Sequence, residues 1–107
     1  MSEPAELEVT EEVFLAKVAD ICAASASLTQ LGAAVLLAAD LGIATDSRSF
    51  SRILGLEHAL VLRAVTELAA TDASLLLITD RNERTQRTKY ALTDPAKAIL
   101  ASAHRPA

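Results

Sequence analysis

The 107-residue sequence predicts one mostly α-helical domain carrying a small β-hairpin, in the order α-α-α-α-β-β-α. Three observations lead there. Alanine supplies 22 residues and leucine 17, while glycine and proline total six and aromatics three; Ala and Leu head the helix scale, and breakers are few. Apolar residues recur at helical spacing through the first two thirds of the chain and then give way to short runs of strand length. The chain is 51% apolar and 22% charged, the balance of a domain with a core and not of a disordered segment. Residues 10–103 are read as that single domain, 1–9 as an acidic flexible lead and 104–107 as a loose tail.

The elements follow in order. Thr10 is a cap for a first helix over about 11–25, with Glu11 and Glu12 at the positive end of its dipole and Phe14, Val18 and Ile21 along one stripe. Ser27 or Thr29 opens the second helix, LTQLGAAVLLAADLG, which has no polar side chain between Gln30 and Asp40 and closes at Gly42 in a left-handed cap. A helix apolar all round is buried on most sides or packs against a second subunit. Asp46 caps a short third helix, SRSFSRIL, with Phe50, Ile53 and Leu54 facing inward and Arg48, Ser49, Ser51 and Arg52 outward. Gly55 breaks it. A longer helix then runs from Leu56 to about Ala70 on a stripe of Val61, Ala64, Val65 and Leu68. Short helix, glycine turn and longer helix make the outline of a helix-turn-helix.

Beyond Asp72 the period changes. Residues 74–79, SLLLIT, are a strand-length apolar run, and in 87–93, RTKYALT, period two sets Thr88, Tyr90 and Leu92 on one face and Arg87 and Lys89 on the other. The polar DRNERTQ between them makes the pair a hairpin. Thr93 or Asp94 caps a last helix, with Pro95 at its first position and Ala96 to Ala103 continuing it.

The segments LTQLGAAVLLAADLG, SFSRILGLEHALVLRAVTELA and DRNERTQRTKYALT, spanning residues 28–93, resemble the winged helix-turn-helix of bacterial regulators of the multiple-antibiotic-resistance-regulator (MarR) type. The Tyr-Ala-Leu-Thr that closes an Asp/Arg-rich hairpin tip ahead of a terminal helix is the most specific piece. The resemblance implies a DNA-binding transcriptional regulator, a repressor that binds double-stranded operator DNA as a homodimer. Its reading helix would be 56–70 and its wing 80–90. Dimerisation would fall to the first, second and C-terminal helices.

On that reading Arg81, Arg84, Arg87 and Lys89 of the wing meet phosphates or the minor groove, positioning the protein without specifying sequence. Arg48 and Arg52, four apart on one helix face, and Ser47, Ser49 and Ser51 meet the backbone. His58 and Arg63 face the bases or phosphates, and an Arg on a guanine edge supplies about 1–3 kcal/mol of discrimination. Each has a plainer alternative. The wing cations can be a solvated tip that discourages edge pairing, and Arg63 can pair with Glu67 one turn on. Ala59, Leu60 and Leu62, also on the reading helix, donate no hydrogen bond and at best touch a thymine methyl.

Charge divides the chain. Its net charge is −4, with six acids in residues 1–20, while residues 47–90 hold seven bases against five acids. Acidity and the outward Leu60 and Leu62 favour a rival reading, a winged helix used as a protein-interaction module with little DNA binding. No enzyme is expected: no catalytic triad, phosphate-binding glycine loop or paired-carboxylate site can be assembled from the two histidines and scattered acids. No cofactor or metal is expected either, and the single Cys22 reads as a small apolar residue packed into the domain. The acidic N-terminus has no secretory pattern and no apolar run is long enough to span a bilayer, so a cytoplasmic location is expected.

Overall fold

In the computed structural model, residues 10–70 and 74–104 are described; the expected flexible lead at 1–9 lies outside them, and of the loose tail expected at 104–107 residue 104 instead ends the last helix while 105–107 lie outside. Five helices and one hairpin follow the expected order: α1 (Glu11–Ala24), α2 (Gln30–Asp40), α3 (Ser47–Leu54), α4 (His58–Ala70), β1 (Leu76–Arg81), β2 (Thr88–Leu92) and α5 (Asp94–His104).

The caps do most of the local work. Thr10 Oγ1 accepts from the Val13 N–H at 3.1 Å, and Thr29 Oγ1 accepts from the Gly32 N–H at 2.9 Å. Each satisfies one amide that the first helical turn leaves without a partner. Gly42, at φ +74°, ends α2: the Ile43 N–H reaches the Ala38 carbonyl at 2.9 Å and the Gly42 N–H reaches Ala39 at 3.2 Å. This pair of bonds is a Schellman closure. Thr93 caps α5, its carbonyl accepting from the Lys97 N–H at 3.0 Å. Pro95 therefore falls at the second helical position, where its missing N–H still costs nothing.

α2 is the axis of the domain. Every residue from Gly32 to Ala38 is buried, enclosed by α1, α4, α5 and β2 of its own chain. Its all-apolar sequence is thus consumed as core. Phe14, Val18 and Ile21 of α1 pack on it from one side, and Val61, Ala64, Val65 and Leu68 of α4 from another, with Phe50, Tyr90, Ala96 and Leu100 completing the cluster.

Four expectations need correction. The last long helix before the hairpin starts at His58, not Leu56. The Leu56 N–H closes back onto the Ser51 carbonyl and the Ser51 hydroxyl holds the Leu56 carbonyl, so Leu56 belongs to the turn. Ile53 is 54% exposed instead of core. Ser47, Phe50 and Leu54 share the inward face, and Ile53 lies about 90° from its centre at 3.6 residues per turn. Leu62 is half-buried, not outward. The first strand is shifted two residues along, because Ser74 takes a left-handed φ of 49° and Leu75 turns into the core before the ladder begins.

The hairpin pairs Leu76 with Leu92 and Arg81 with Thr88, with an irregularity between Ile78 and Asp80. Its tip needs no Asn-Gly because Asn82 organises it. The Asn82 side-chain oxygen accepts from the Arg84 and Thr85 N–H groups at 2.9 and 3.1 Å, and Gln86 adopts a φ of +63°. Asn is suited to such self-bonded turns. An isolated β-bridge adds to the hairpin: Asp46 bridges to Lys89, and the Tyr90 N–H donates to the Thr45 carbonyl at 3.1 Å. The wing is thereby stitched to the start of α3.

Candidate functional site

Three side-chain ties fasten the wing to the helix pair. Asp46, the α3 cap, accepts from the Ser49 N–H at 3.0 Å through Oδ2 and from the Ser49 hydroxyl at 2.8 Å through Oδ1, and the same Oδ2 pairs with Arg87 Nε at 3.2 Å. Arg48 donates from Nε and from a terminal guanidinium nitrogen to the Thr85 carbonyl at 3.1 and 2.7 Å. Ser47, fully buried, accepts from the Thr88 N–H at 3.0 Å and shares a 2.8 Å hydrogen bond with His58 Nε2.

These ties redistribute the nine residues expected at a nucleic-acid face. Arg48, Ser49, His58 and Arg87 have partners inside the domain, which hold the wing in place. Arg52, Arg63, Arg81, Arg84 and Lys89 are exposed. Arg63 makes no ion pair with Glu67 among the described residues. Ser47, expected to reach phosphate, cannot do so from its buried position. Ser51 bonds the turn carbonyl of Leu56.

The electrostatics of the junction follow from the same contacts. Burial pushes the Asp46 carboxyl up, but the two Ser49 bonds and the Arg87 guanidinium outweigh it, leaving the group below the usual carboxylate range. Burial and the neighbouring Arg48 hold the His58 imidazole below its ordinary value, with Asp46 opposing. Burial, then Asp46, raises the Tyr90 phenol. Its hydroxyl is buried with no hydrogen-bond partner among the described residues.

Away from these ties an apolar groove is open, lined by no residue of the hairpin. Phe14, Val18 and Leu15 of α1, Leu31 and Ala34 of α2, and Ile53, Leu54 and Leu56 at the α3–α4 turn are among the residues lining about 1160 Å³. Leu15 and Ile53 on its walls are 58% and 54% exposed. Sequence reasoning missed this groove, since it arises from Ile53 turning outward and from the Leu15 side of α1 staying exposed among the described residues. Leu60, on the outer face of α4, is 46% exposed, as its position predicted.

No family model, curated protein or solved structure matches this chain. The geometry therefore carries the functional reading. Among the described residues no group of three or more His, Cys, Asp or Glu could hold a metal ion. Cys22 is half-buried and packs against the core. No helix among them is long and apolar enough to cross a membrane.

Proposed function

We propose that this chain is a winged-helix association module that joins a second copy of itself through the groove between α1, α2 and the α3–α4 turn. The observation that carries the reading is the groove itself, with Leu15 and Ile53 more than half exposed on its two walls. Apolar side chains concentrated on one open face favour removal from water, at about 25 cal/mol per Å² of apolar surface covered.

Charge favours a copy of the same chain as the occupant. The α1 wall carries Glu11 on the groove, with Glu12 following it in the sequence; on α3 the exposed Arg52 immediately precedes the groove-lining Ile53 without itself lining the groove. A two-fold axis running along the groove brings the α1 wall of one copy against the α3 wall of the other. Two-fold contacts are reciprocal, so both acid–base pairings form at once. This differs from a dimer built through α1, α2 and α5, because the groove takes only Gln30, Leu31 and Ala34 from α2 and nothing from α5.

Sedimentation velocity tests it: the chain runs as a dimer at micromolar concentration, and Ile53→Lys or Leu15→Lys yields a folded monomer. A wild-type monomer at every concentration up to about 100 μM, weaker than the range of specific stable interfaces, contradicts it.

A second reading is operator binding, as the resemblance to MarR-type regulators implies. It is favoured by the exposed Arg52, Arg63, Arg81, Arg84 and Lys89 beside a wing already fixed to the helix pair. Against it stand Glu57, Glu67, Asp80 and Glu83 on the same elements and the apolar Leu60 on the reading helix. Anisotropy titration against random-sequence duplex at about 50 and 200 mM salt separates the readings. Phosphate contacts lose affinity steeply over that range, whereas an apolar protein contact hardly responds.

A further inference from the structure

We propose that His58 is a pH-operated latch: its neutral ring locks the start of α4 to α3 and, through Ser47, to the wing, and its protonation opens the lock. The argument begins at Ser47 Oγ, which has one hydrogen to donate and two lone pairs to offer. Ser47 is fully buried, so water does not reach it. The Thr88 N–H takes one lone pair at 3.0 Å, and His58 Nε2 stands 2.8 Å away. With the imidazole neutral and its proton on Nδ1, Nε2 accepts from the Ser47 hydroxyl. The Thr88 N–H, the Ser47 hydroxyl and His58 Nε2 are then all satisfied.

Protonation reverses one partner. Both ring nitrogens of a cationic histidine are donors, so Nε2 then points a hydrogen at Ser47 Oγ, whose own hydrogen has no acceptor among the described residues. A buried donor without a partner is strongly disfavoured, and the ring is partly exposed, so it can leave for water instead. The surrounding charges act in opposite senses, Arg48 more strongly than Asp46. Arg48 on α3 repels the imidazolium. Asp46 attracts it, but that carboxylate is already shared between Ser49 and Arg87 of the hairpin. Glu57, preceding His58 in the chain, is exposed to solvent.

The latch joins three elements that sequence places far apart: residues 47, 58 and 88. When it opens, the wing keeps the Arg48–Thr85 and Arg87–Asp46 ties and the Tyr90–Thr45 backbone bond, while its buried side-chain tie, Thr88–Ser47, loses the histidine that fixes the Ser47 hydroxyl and is weakened. Acidification below the ordinary imidazole range is therefore a signal that loosens the wing without unfolding the core.

The test is NMR on the intact chain. The His58 ring is titrated, and the Thr88 amide exchange rate is compared at pH 7.5 and 5.0 after correction for intrinsic exchange. The latch requires His58 to titrate below 6.5 and Thr88 protection to fall at least tenfold at the lower pH. In His58→Gln the side-chain oxygen can accept from Ser47 but the group cannot titrate, so Thr88 stays protected at both pH values. Equal Thr88 protection at the two pH values in the wild type overturns the proposal. So does a pH response that persists in His58→Gln.

Discussion

Replacing Asp46 by alanine tests the junction that fixes the wing. Three contacts are lost together. The cap bond from the Ser49 N–H at 3.0 Å is worth about 1 kcal/mol by comparison with other N-caps. The Ser49 hydroxyl bond at 2.8 Å is charge-assisted, but Ser49 is only half-buried and water replaces part of it, leaving about 0.5–1 kcal/mol. The Arg87 pair has its arginine 43% exposed and its aspartate 13% exposed, so it contributes about 0.5–1 kcal/mol. The sum is about 2–3 kcal/mol. Asp46→Asn keeps a good cap and removes only the charge, so it costs about 1 kcal/mol. Urea unfolding at pH 7, followed by far-UV circular dichroism, measures both. Asp46→Ala costing less than about 0.5 kcal/mol refutes the capping account, and equal costs for Ala and Asn show that charge, not the cap, holds the junction.

Other consequences are as direct. Tyr90→Phe removes a buried hydroxyl with no partner among the described residues, so it leaves stability unchanged or raises it by about 1 kcal/mol in the same urea assay; a loss of that size would show the hydroxyl is bonded. Gly55→Ala places a side chain at φ +67° where nothing lies within 4 Å, so its cost of about 1 kcal/mol is backbone strain alone, read as a lowered urea midpoint. Stability depends on pH in two windows. His58 binds its proton less well folded than unfolded, so stability is full above the unfolded value of 6.5 and falls as pH drops through it. Asp46 holds its proton less well folded, so its contribution is present above 3.8 and lost as pH falls below it. Thermal melts from pH 8 to 3 check both, and His58→Gln removes the upper step alone.

The order of elements was legible because each carried its own local signal. Thr10, Thr29 and Asp46 are caps by chemistry, Gly42 and Gly55 are left-handed stops, and Thr88 and Tyr90 alternate with Lys89 at strand period. The α4 stripe of Val61, Ala64, Val65 and Leu68 is buried as its spacing predicted. The residues that join elements were harder to read. Nothing local marks Ser47 as buried, because the partners that make burial tolerable, Thr88 and His58, lie 41 and 11 residues away. Ile53 looks like core by hydropathy, and only the short length of α3 and the inward placement of Ser47 turn it out. The cations at Arg48 and Arg87 look like a solvated surface until the wing folds back onto α3. A charge pattern states what a face contains, and tertiary contacts decide how much of it remains available.

The central claim is self-association across two unlike walls of one groove, and a charge-reversal mixing experiment tests it most directly. Glu11→Arg gives two basic walls and Arg52→Glu two acidic walls, so each variant alone associates more weakly than the wild type. Mixed in equal amounts they restore opposite charges at both contacts of a two-fold pair. Sedimentation velocity at low salt, where exposed charges are least screened, reads the outcome. The account predicts weakened variants and a mixed dimer about as stable as the wild type. Variants that associate as well alone as together, or a mixture no tighter than its components, contradict it.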